Sequence, residues 1–290
     1  MTAEQGAQVQ ALVEAATAAD GVRPFNEAVM LALRYGAADA VRHVAATAQD
    51  GEWVGYGHLD LTDRLQGASA EVVVHPDRRR QGIGRALVQR TLQEAAPLTL
   101  RLWAHGHHPA AGRLAAALGF TRVRDLWQMR RSLHAELPKV GLPDGVTLRA
   151  FRPGVDDDAW LRVNARAFAD HPEQGAMTAA DLARRTTEPW FDADGFLVAE
   201  RDGDLVGFHW TKVHAGGEHD PIGEVYVVGV DPDAQGLGLG KALTLAGLWH
   251  LRDRGLDQVM LYVESDNAPA IAVYERLGFR HWDTDVMYSR

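Results

Sequence analysis

The segment Gln235-Gly236-Leu237-Gly238-Leu239-Gly240-Lys241 places three glycines at alternate positions where a strand hands over to a helix. The run Val227-Val228-Gly229-Val230 before it is apolar and β-branched. Asp231-Pro232 stops that run, and Ala242 onward has helical spacing with no breaker until Gly255. The first N–H groups of such a helix have no intrahelical partner and sit at the positive end of its dipole, so the loop reads as an anion cradle. A nucleoside triphosphate loop would need glycine where Gln235 stands and a hydroxyl where Ala242 stands. A dinucleotide fingerprint would need glycine at Lys241, so neither pattern fits.

The chain carries this loop twice. Val72-Val73-Val74-His75-Pro76-Asp77-Arg78-Arg79-Arg80-Gln81-Gly82-Ile83-Gly84-Arg85-Ala86-Leu87 aligns without a gap on Val228 to Leu243, and Leu118-Gly119-Phe120 matches Leu277-Gly278-Phe279. Duplication at so long a period means two copies of a domain and not a solenoid. A segment from His134 to Gly145, with Pro138, Gly141, Pro143 and Gly145 and no periodicity, predicts a linker, giving domains 1–139 and 140–290. With 290 residues, 46% hydrophobic and 24% charged, the chain has material for two ordinary cores. A net charge of −9 argues against nucleic acid as the main partner, and zero cysteines exclude disulfides and disfavour a zinc site. No apolar run has transmembrane length and no signal segment opens the chain, so a soluble cytoplasmic protein is expected, with no membrane or nucleic-acid partner and no metal; a monomer is expected as well.

The elements that must position the loops follow from periodicity. In the first copy, Thr2 to Asp20 reads as a helix. Asn26 caps a second helix that opens with Glu27, and His43–Ala48 and Trp53–Leu61 form a hairpin. Ala70–Val74 is the strand entering the loop, followed by helix, strand, the helix Ala110–Leu118 stopped by Gly119, and a strand from Leu126 to Ser132. The second copy repeats this scheme, with a hairpin across Arg201-Asp202-Gly203-Asp204 and the strand Glu224–Val230 entering the loop. Alternation of strands and helices around a mixed sheet predicts an α/β, or α+β layered, architecture in each copy. Alternation along Glu224–Val230 places Glu224, Tyr226, Val228 and Val230 on one face. Gly229, unusual inside a strand, suggests a bulge or a close approach to a ligand.

The spacing Gln235-x-x-Gly238-x-Gly240 resembles the pyrophosphate-binding motif of the GNAT superfamily of acyl-CoA N-acyltransferases. So does Asn267-x-x-Ala270-x-x-x-Tyr274-x-x-x-Gly278-Phe279, which on a helix sets Ala270 and Tyr274 one turn apart beyond an Asn267 cap. Closer still, Asn164 to Gly175, Gly207 to His214, Gly223 to Val227, Leu261 to Asn267, Trp103 to Gly106 and Gln128 to Arg131 resemble the mycothiol acetyltransferase branch of that superfamily over essentially the whole chain.

That resemblance implies acetyl transfer from acetyl-CoA, the co-substrate, to the cysteinyl amine of a cysteine-glucosamine-inositol acceptor. It places acetyl-CoA against Val72, Val73, Val74, Arg80, Gln81, Gly82, Ile83, Gly84 and Arg85 in the first copy. In the second it places it against Val228, Gly229, Val230, Gln235, Gly236, Leu237, Gly238, Leu239, Gly240, Lys241, Asn267 and Ala270. It makes Tyr274 the proton donor to the departing thiolate, a bulge N–H the oxyanion donor, and Glu27, Glu173, Lys212, Glu224 and Tyr262 the acceptor pocket. The residues themselves suit these roles. An ammonium must lose a proton before it attacks a thioester, and a strand carboxylate such as Glu224 is a suitable general base. Lysine donates to sugar hydroxyls.

Two rival classes remain open, an N-acetyltransferase for a peptide or another small amine and a non-catalytic acyl-CoA sensor. Retention of Glu224, Asn267 and Tyr274 speaks against the second. The copies are expected to be unequal. Gly236-Leu237 replaces basic residues common in relatives, whereas the first loop carries Arg78, Arg79, Arg80 and Arg85. With the Gly-Phe pairs as register, Asn267, Ala270 and Tyr274 map to His108, Ala111 and Ala115, so the first copy should lack both the polar cap and the proton donor.

Overall fold

A computed structural model of the chain describes residues 1–36, 39–169, 171, 174–215 and 220–290. The chain divides into two compact units, Met1–Trp127 with Asp283–Arg290, and Gln128–Trp282. Residues 134–145, where the sequence suggests a linker, thus lie within the span of the second unit. The chain leaves the first unit inside one long strand and returns to it inside the last.

In the first unit, Thr2 caps α1 (Ala3–Asp20) with a reciprocal capping box to Gln5, and Asn26 caps α2 (Glu27–Tyr35) by accepting the Val29 N–H at 2.9 Å. Then come β1 (Val41–Thr47), β2 (Trp53–Asp60), β3 (Ala68–Val74), α3 (Ile83–Ala95), β4 (Leu100–Ala104), α4 (Pro109–Ala117) and β5 (Thr121–Ser132). In the second unit follow β6 (Val146–Ala150), α5 (Asp157–Ala167), α6 (Ala179–Thr186), β7 (Phe196–Arg201), β8 (Asp204–His214), β9 (Ile222–Val230), α7 (Leu239–Asp253), β10 (Gln258–Glu264) and α8 (Ala268–Arg276). β11 (Arg280–Ser289) returns to the first unit. The predicted mixed α/β layering holds in both units.

In the first unit the strands run in the order β1-β2-β3-β4-β11, antiparallel except for the β3/β4 crossover pair. Leu59, Ala70, Val88, Leu100 and Phe120 form the core on the α3/α4 face, and Val9, Leu12, Phe25, Tyr56 and Val73 form the core on the α1/α2 face. In the second unit the order is β10-β9-β8-β7-β6, with β9/β10 the parallel pair. Trp160 of α5, fully buried, meets Phe196, Phe208 and Trp210 at ring separations of 5.6, 5.2 and 5.8 Å. These edge-on contacts anchor α5 to the sheet. The hairpin β7/β8 turns across Asp202 and Gly203, both at positive φ (55° and 90°), the conformation a tight two-residue turn between twisted strands requires.

Each crossover pair is in register over a short span. β9 and β10 pair through Gly223–Val225 with Val259–Leu261, and β3 and β4 through Ala68–Ala70 with Leu100–Leu102. Beyond those points the parallel strands have no registered partners in each other. A cleft at the carboxyl ends of diverging parallel strands is where open α/β sheets bind ligands.

In the first unit this opening is bridged by charge. Glu71 of β3, buried, accepts the backbone N–H of Asn26 at 2.8 Å, and its other oxygen lies 3.6 Å from Nε2 of His105, just past β4. His105 Nδ1 donates to Asp285 of β11 at 2.7 Å, and the Gly106 N–H donates to the same carboxylate at 2.9 Å. Burial alone would lower the His105 pKa, but the two carboxylates outweigh it and raise it to about 10. Because the folded value lies above the ordinary 6.5, the charged imidazolium stabilises the first unit fully below about pH 6.5, and that contribution fades as pH rises towards 10. Thermal unfolding of His105→Gln against the parent should therefore show a deficit that is largest near pH 6 and narrows towards pH 10. A gap independent of pH would mean that the imidazolium does not hold this bridge.

Candidate active site

The two glycine loops share one construction. Gly238 (φ 79°, ψ 6°) and Gly82 (φ 86°, ψ −7°) are the left-handed residues that open α7 and α3, and neither helix has a side-chain cap. By contrast, Thr2, Asn26, Thr178, Asn267 and His108 each cap a helix with a side-chain acceptor. The first-turn N–H groups of Leu239, Gly240 and Lys241, and of Ile83, Gly84 and Arg85, are thereby left for an anion. The polar residue opening each motif straps its loop to the preceding strand. Gln235 Nε2 donates to the Val230 carbonyl at 3.4 Å, and Arg79 Nε donates to the Val74 carbonyl at 3.2 Å. Arg79 is otherwise committed to Asp20 by two bonds of 2.7 and 2.8 Å, so the free positive charge of the first loop resides on the exposed Arg78, Arg80 and Arg85.

Arg80 occupies the left-handed region (φ 64°) at the position where the second copy has Gly236 (φ 82°). The loop backbone requires that conformation, and a non-glycine residue there costs roughly 1–2 kcal/mol. The first loop carries its arginine against that strain. The second relieves the strain and gives up the charge.

A β-bulge organises the strand leading to the second loop. In β8/β9 the pairing runs Lys212↔Glu224 and Thr211↔Val225, then Trp210↔Val227, leaving Tyr226 as the extra residue. The expected single face for Glu224, Tyr226, Val228 and Val230 is therefore corrected. Tyr226 and Val227 both pack in the aromatic core with Trp160 and Trp210, while Val228 and Val230 pack on the opposite face against Leu239 and Leu243 of α7. The bulge is at Tyr226, not Gly229, whose pairing with Phe208 is regular. Gly229 is small because a Cβ there would lie 2.8 Å from the Phe208 ring and 3.1 Å from the Phe168 ring. The β8/β9 register steps over Tyr226, from Val225 to Val227.

Glu224 is buried, and its Oε2 lies 2.6 Å from His214 Nε2. Lys212, its register partner, is buried with Nζ 4.5 Å from the Trp190 ring and 5.0 Å from the Tyr226 ring, a cation held over two aromatic faces. Tyr226 in turn accepts from Arg185 Nε at 2.8 Å. Beyond β10, Asn267 caps α8 by accepting the Ala270 N–H at 3.2 Å, leaving its amide NH₂ to donate. Tyr274, one turn on, packs edge-on against Phe279 at 5.8 Å, and among the described residues its hydroxyl has no hydrogen-bond partner. Burial pushes its phenol up to about 12, so it stays protonated at neutral pH. Tyr262 accepts from Gln128 Nε2 at 2.9 Å. Glu27, in the first unit, is the first residue of α2 behind the Asn26 cap, and Glu173 lies outside the described residues.

The structure thus brings Lys212, Glu224 and Tyr226 to one face of one sheet. In the first unit β3 pairs with β2 without a bulge. Ala115, at the position of Tyr274, is buried in the α3/α4 core. The expected loss of the polar cap does not hold, because His108 Nδ1 accepts the Ala110 N–H at 3.2 Å and caps α4. Sequence reading missed His214, Trp190, Gln128 and the bulge at Tyr226. Of these only His214 had a legible signal, since it stands two residues beyond Lys212 on the same strand face.

The family model described as "Acetyltransferase (GNAT) family" matches residues 160–279, and a "GNAT domain" model matches residues 40–122. The chain is 56% identical over 296 residues to the mycothiol acetyltransferase of Acidothermus cellulolyticus, covering 98% of this chain and 90% of that protein. It is 59% identical over 290 residues to the one of Thermomonospora curvata, covering 100% and 95%. Among solved structures it is similar to a GCN5-related N-acetyltransferase from Sphaerobacter thermophilus (26% identity, TM-score 0.72, 100% and 93% covered). A tandem GNAT protein from the clavulanic acid biosynthesis pathway, at 23% identity and TM-score 0.73 over 99% of this chain and 94% of that one, shares the fold.

The Arg80/Gly236 exchange makes a two-sided expectation. Gly236→Arg should lower the stability of the ligand-free protein by roughly 1–2 kcal/mol while tightening its hold on a pyrophosphate ester such as CoA. Denaturant unfolding paired with calorimetric titration measures both, and a change that weakened CoA binding would contradict the matched roles of the two positions.

Proposed function

The chain belongs to the mycothiol acetyltransferases of the GNAT family, and from that membership we propose that its second unit moves the acetyl group of acetyl-CoA to the cysteinyl amine of desacetylmycothiol, giving mycothiol. The observation that carries the site assignment is topological. The uncapped glycine loop follows β9, the Asn267–Tyr274 helix follows β10, and both leave the carboxyl ends of two parallel strands that stop pairing after Val225 and Leu261.

Residues 236–241 fit the pyrophosphate of acetyl-CoA, because their N–H groups are uncapped and Lys241 adds the one charge of the loop. The bound co-substrate supplies the activated acyl group. Asn267 donates its amide NH₂ to the pantetheine arm. Glu224 takes a proton from the acceptor ammonium, so that the nitrogen lone pair is free to attack. The backbone at the Tyr226 bulge offers an N–H to the thioester oxygen as negative charge develops there, an effect worth about 10²-fold or more. Tyr274, held protonated, gives its proton to the departing sulfur. Lys212 and Tyr262 recognise the acceptor, Lys212 donating to its hydroxyls.

The first unit holds a second acetyl-CoA in its more basic loop without transferring the acetyl group. Ala115 cannot donate a proton, and the Glu71–His105 bridge lies where the strands diverge. The protein is proposed to work as a monomer in the cytoplasm.

The reading is tested by assaying acetyl-CoA consumption with the cysteinyl pseudo-disaccharide beside an unrelated small amine. Comparable turnover of both would refute the acceptor assignment. Glu224→Gln should lose on the order of 10²- to 10⁴-fold in turnover at low and neutral pH and recover partly as pH rises and the acceptor amine deprotonates unaided. Tyr274→Phe should slow turnover and leave acetyl-CoA affinity nearly intact, and an unchanged rate under conditions where chemistry is limiting would remove its role as acid. Gly82→Asp should abolish one of two calorimetric acetyl-CoA sites and spare most activity, whereas Gly238→Asp should stop catalysis.

A further inference from the structure

Glu224 is a buried carboxylate, and its two oxygens are not equivalent. Oε2 lies 2.6 Å from His214 Nε2, whereas Oε1 has no hydrogen-bond partner among the described residues. The strand register produces this arrangement. Lys212 stands opposite Glu224, and His214, two residues further along β8 and paired with Ile222, projects from the same face as the diagonal neighbour. The Glu224 side chain is 9% exposed and that of His214 30%, so the imidazole lies on the solvent side of the carboxylate.

A carboxylate on a strand rotates about two side-chain torsions, and a base that must meet one ammonium proton within hydrogen-bond reach loses rate when it wanders. A donor fixed on one oxygen removes that freedom and reserves the other oxygen for the substrate. We propose that His214 is a positioning residue for the acetyl transfer, its Nε2–H holding Oε2 of Glu224 so that Oε1 alone is presented to the acceptor ammonium. In the step it serves, the ammonium N–H bond breaks, an O–H bond forms on Oε1, and the electron pair left on nitrogen attacks the thioester carbon. His214 touches neither substrate and keeps its own proton throughout. The proposal rests on the reading of Glu224 as the general base.

Steady-state kinetics of His214→Leu, Glu224→Gln and the double variant test it. His214→Leu should lower kcat on the order of 10- to 100-fold with both KM values within about twofold of the parent, and adding it to Glu224→Gln should cost nothing more. His214→Gln, whose amide N–H reaches the place of Nε2, should restore much of the loss, and His214→Asn, whose shorter amide falls at the place of Nδ1, should not. If the leucine variant does not fold, the glutamine–asparagine contrast decides alone, and equal rates for those two overturn the proposal. Parent-like turnover in folded His214→Leu, or losses that multiply with that of Glu224→Gln, overturn it while leaving the base intact. Parent-like turnover in Glu224→Gln removes the base assignment and this inference with it.

Discussion

Two parallel strands that stop hydrogen-bonding before they end impose the constraint to which the rest of each unit answers. Past Val225 and Leu261 in one unit, and past Ala70 and Leu102 in the other, backbone donors and acceptors are left without a ladder. An unpaired backbone group that cannot reach water costs about 1–3 kcal/mol, so such an opening persists only where something else meets those groups. The helices at its mouth, α3 and α7, open on left-handed glycines and have no side-chain cap. A side-chain acceptor there would compete with the anion that the N–H groups are kept for.

The two units answer the constraint differently, and the difference lies in backbone register more than in any one side chain. The extra residue at Tyr226 puts two consecutive side chains on the aromatic face and turns Val228 and Val230 to α7. β3 lacks the extra residue, and the acid at the corresponding depth, Glu71, reaches across to His105 and fixes the start of α2. Buried ion pairs add little net stability, because desolvation offsets their attraction, so this one is better understood as fixing geometry.

How much of this was legible in the sequence divides along the range of the interactions. The loops were legible because glycine at Gly238 and Gly82 answers a local backbone requirement, and the caps at Asn26 and Asn267 because each bonds within its own first turn. The bulge was not, because one extra residue between Lys212 and Trp210 on one side and Glu224 and Val227 on the other is decided by how two strands pack on Trp160, not by either strand alone. Gly229 misled for the same reason. A strand glycine signals a close approach, and what approaches is the rings of Phe208 and Phe168, distant in sequence. Nor does any local pattern say that β11 pairs with β4, joining Val286 to Ala104 and completing the first unit with the end of the chain.

That return of the last strand has a consequence for how the duplicated units can diverge. Asp285, which orients His105, comes from the C-terminal strand, so the charge bridge of the first unit is assembled only after the second has been threaded between its parts. Most backbone pairing in the second unit joins strands adjacent in sequence, as in β6/β7, β7/β8 and β8/β9, and such local pairs form with little loop-closure cost. The β4/β11 pair closes a loop that spans the whole second unit. The unit that carries the bulge, Glu224 and Tyr274 can therefore gather its own sheet from near neighbours. The unit with the more basic loop depends on the far end of the chain for its closing strand, and a substitution in β11 reaches its charge bridge without touching the residues assigned to chemistry.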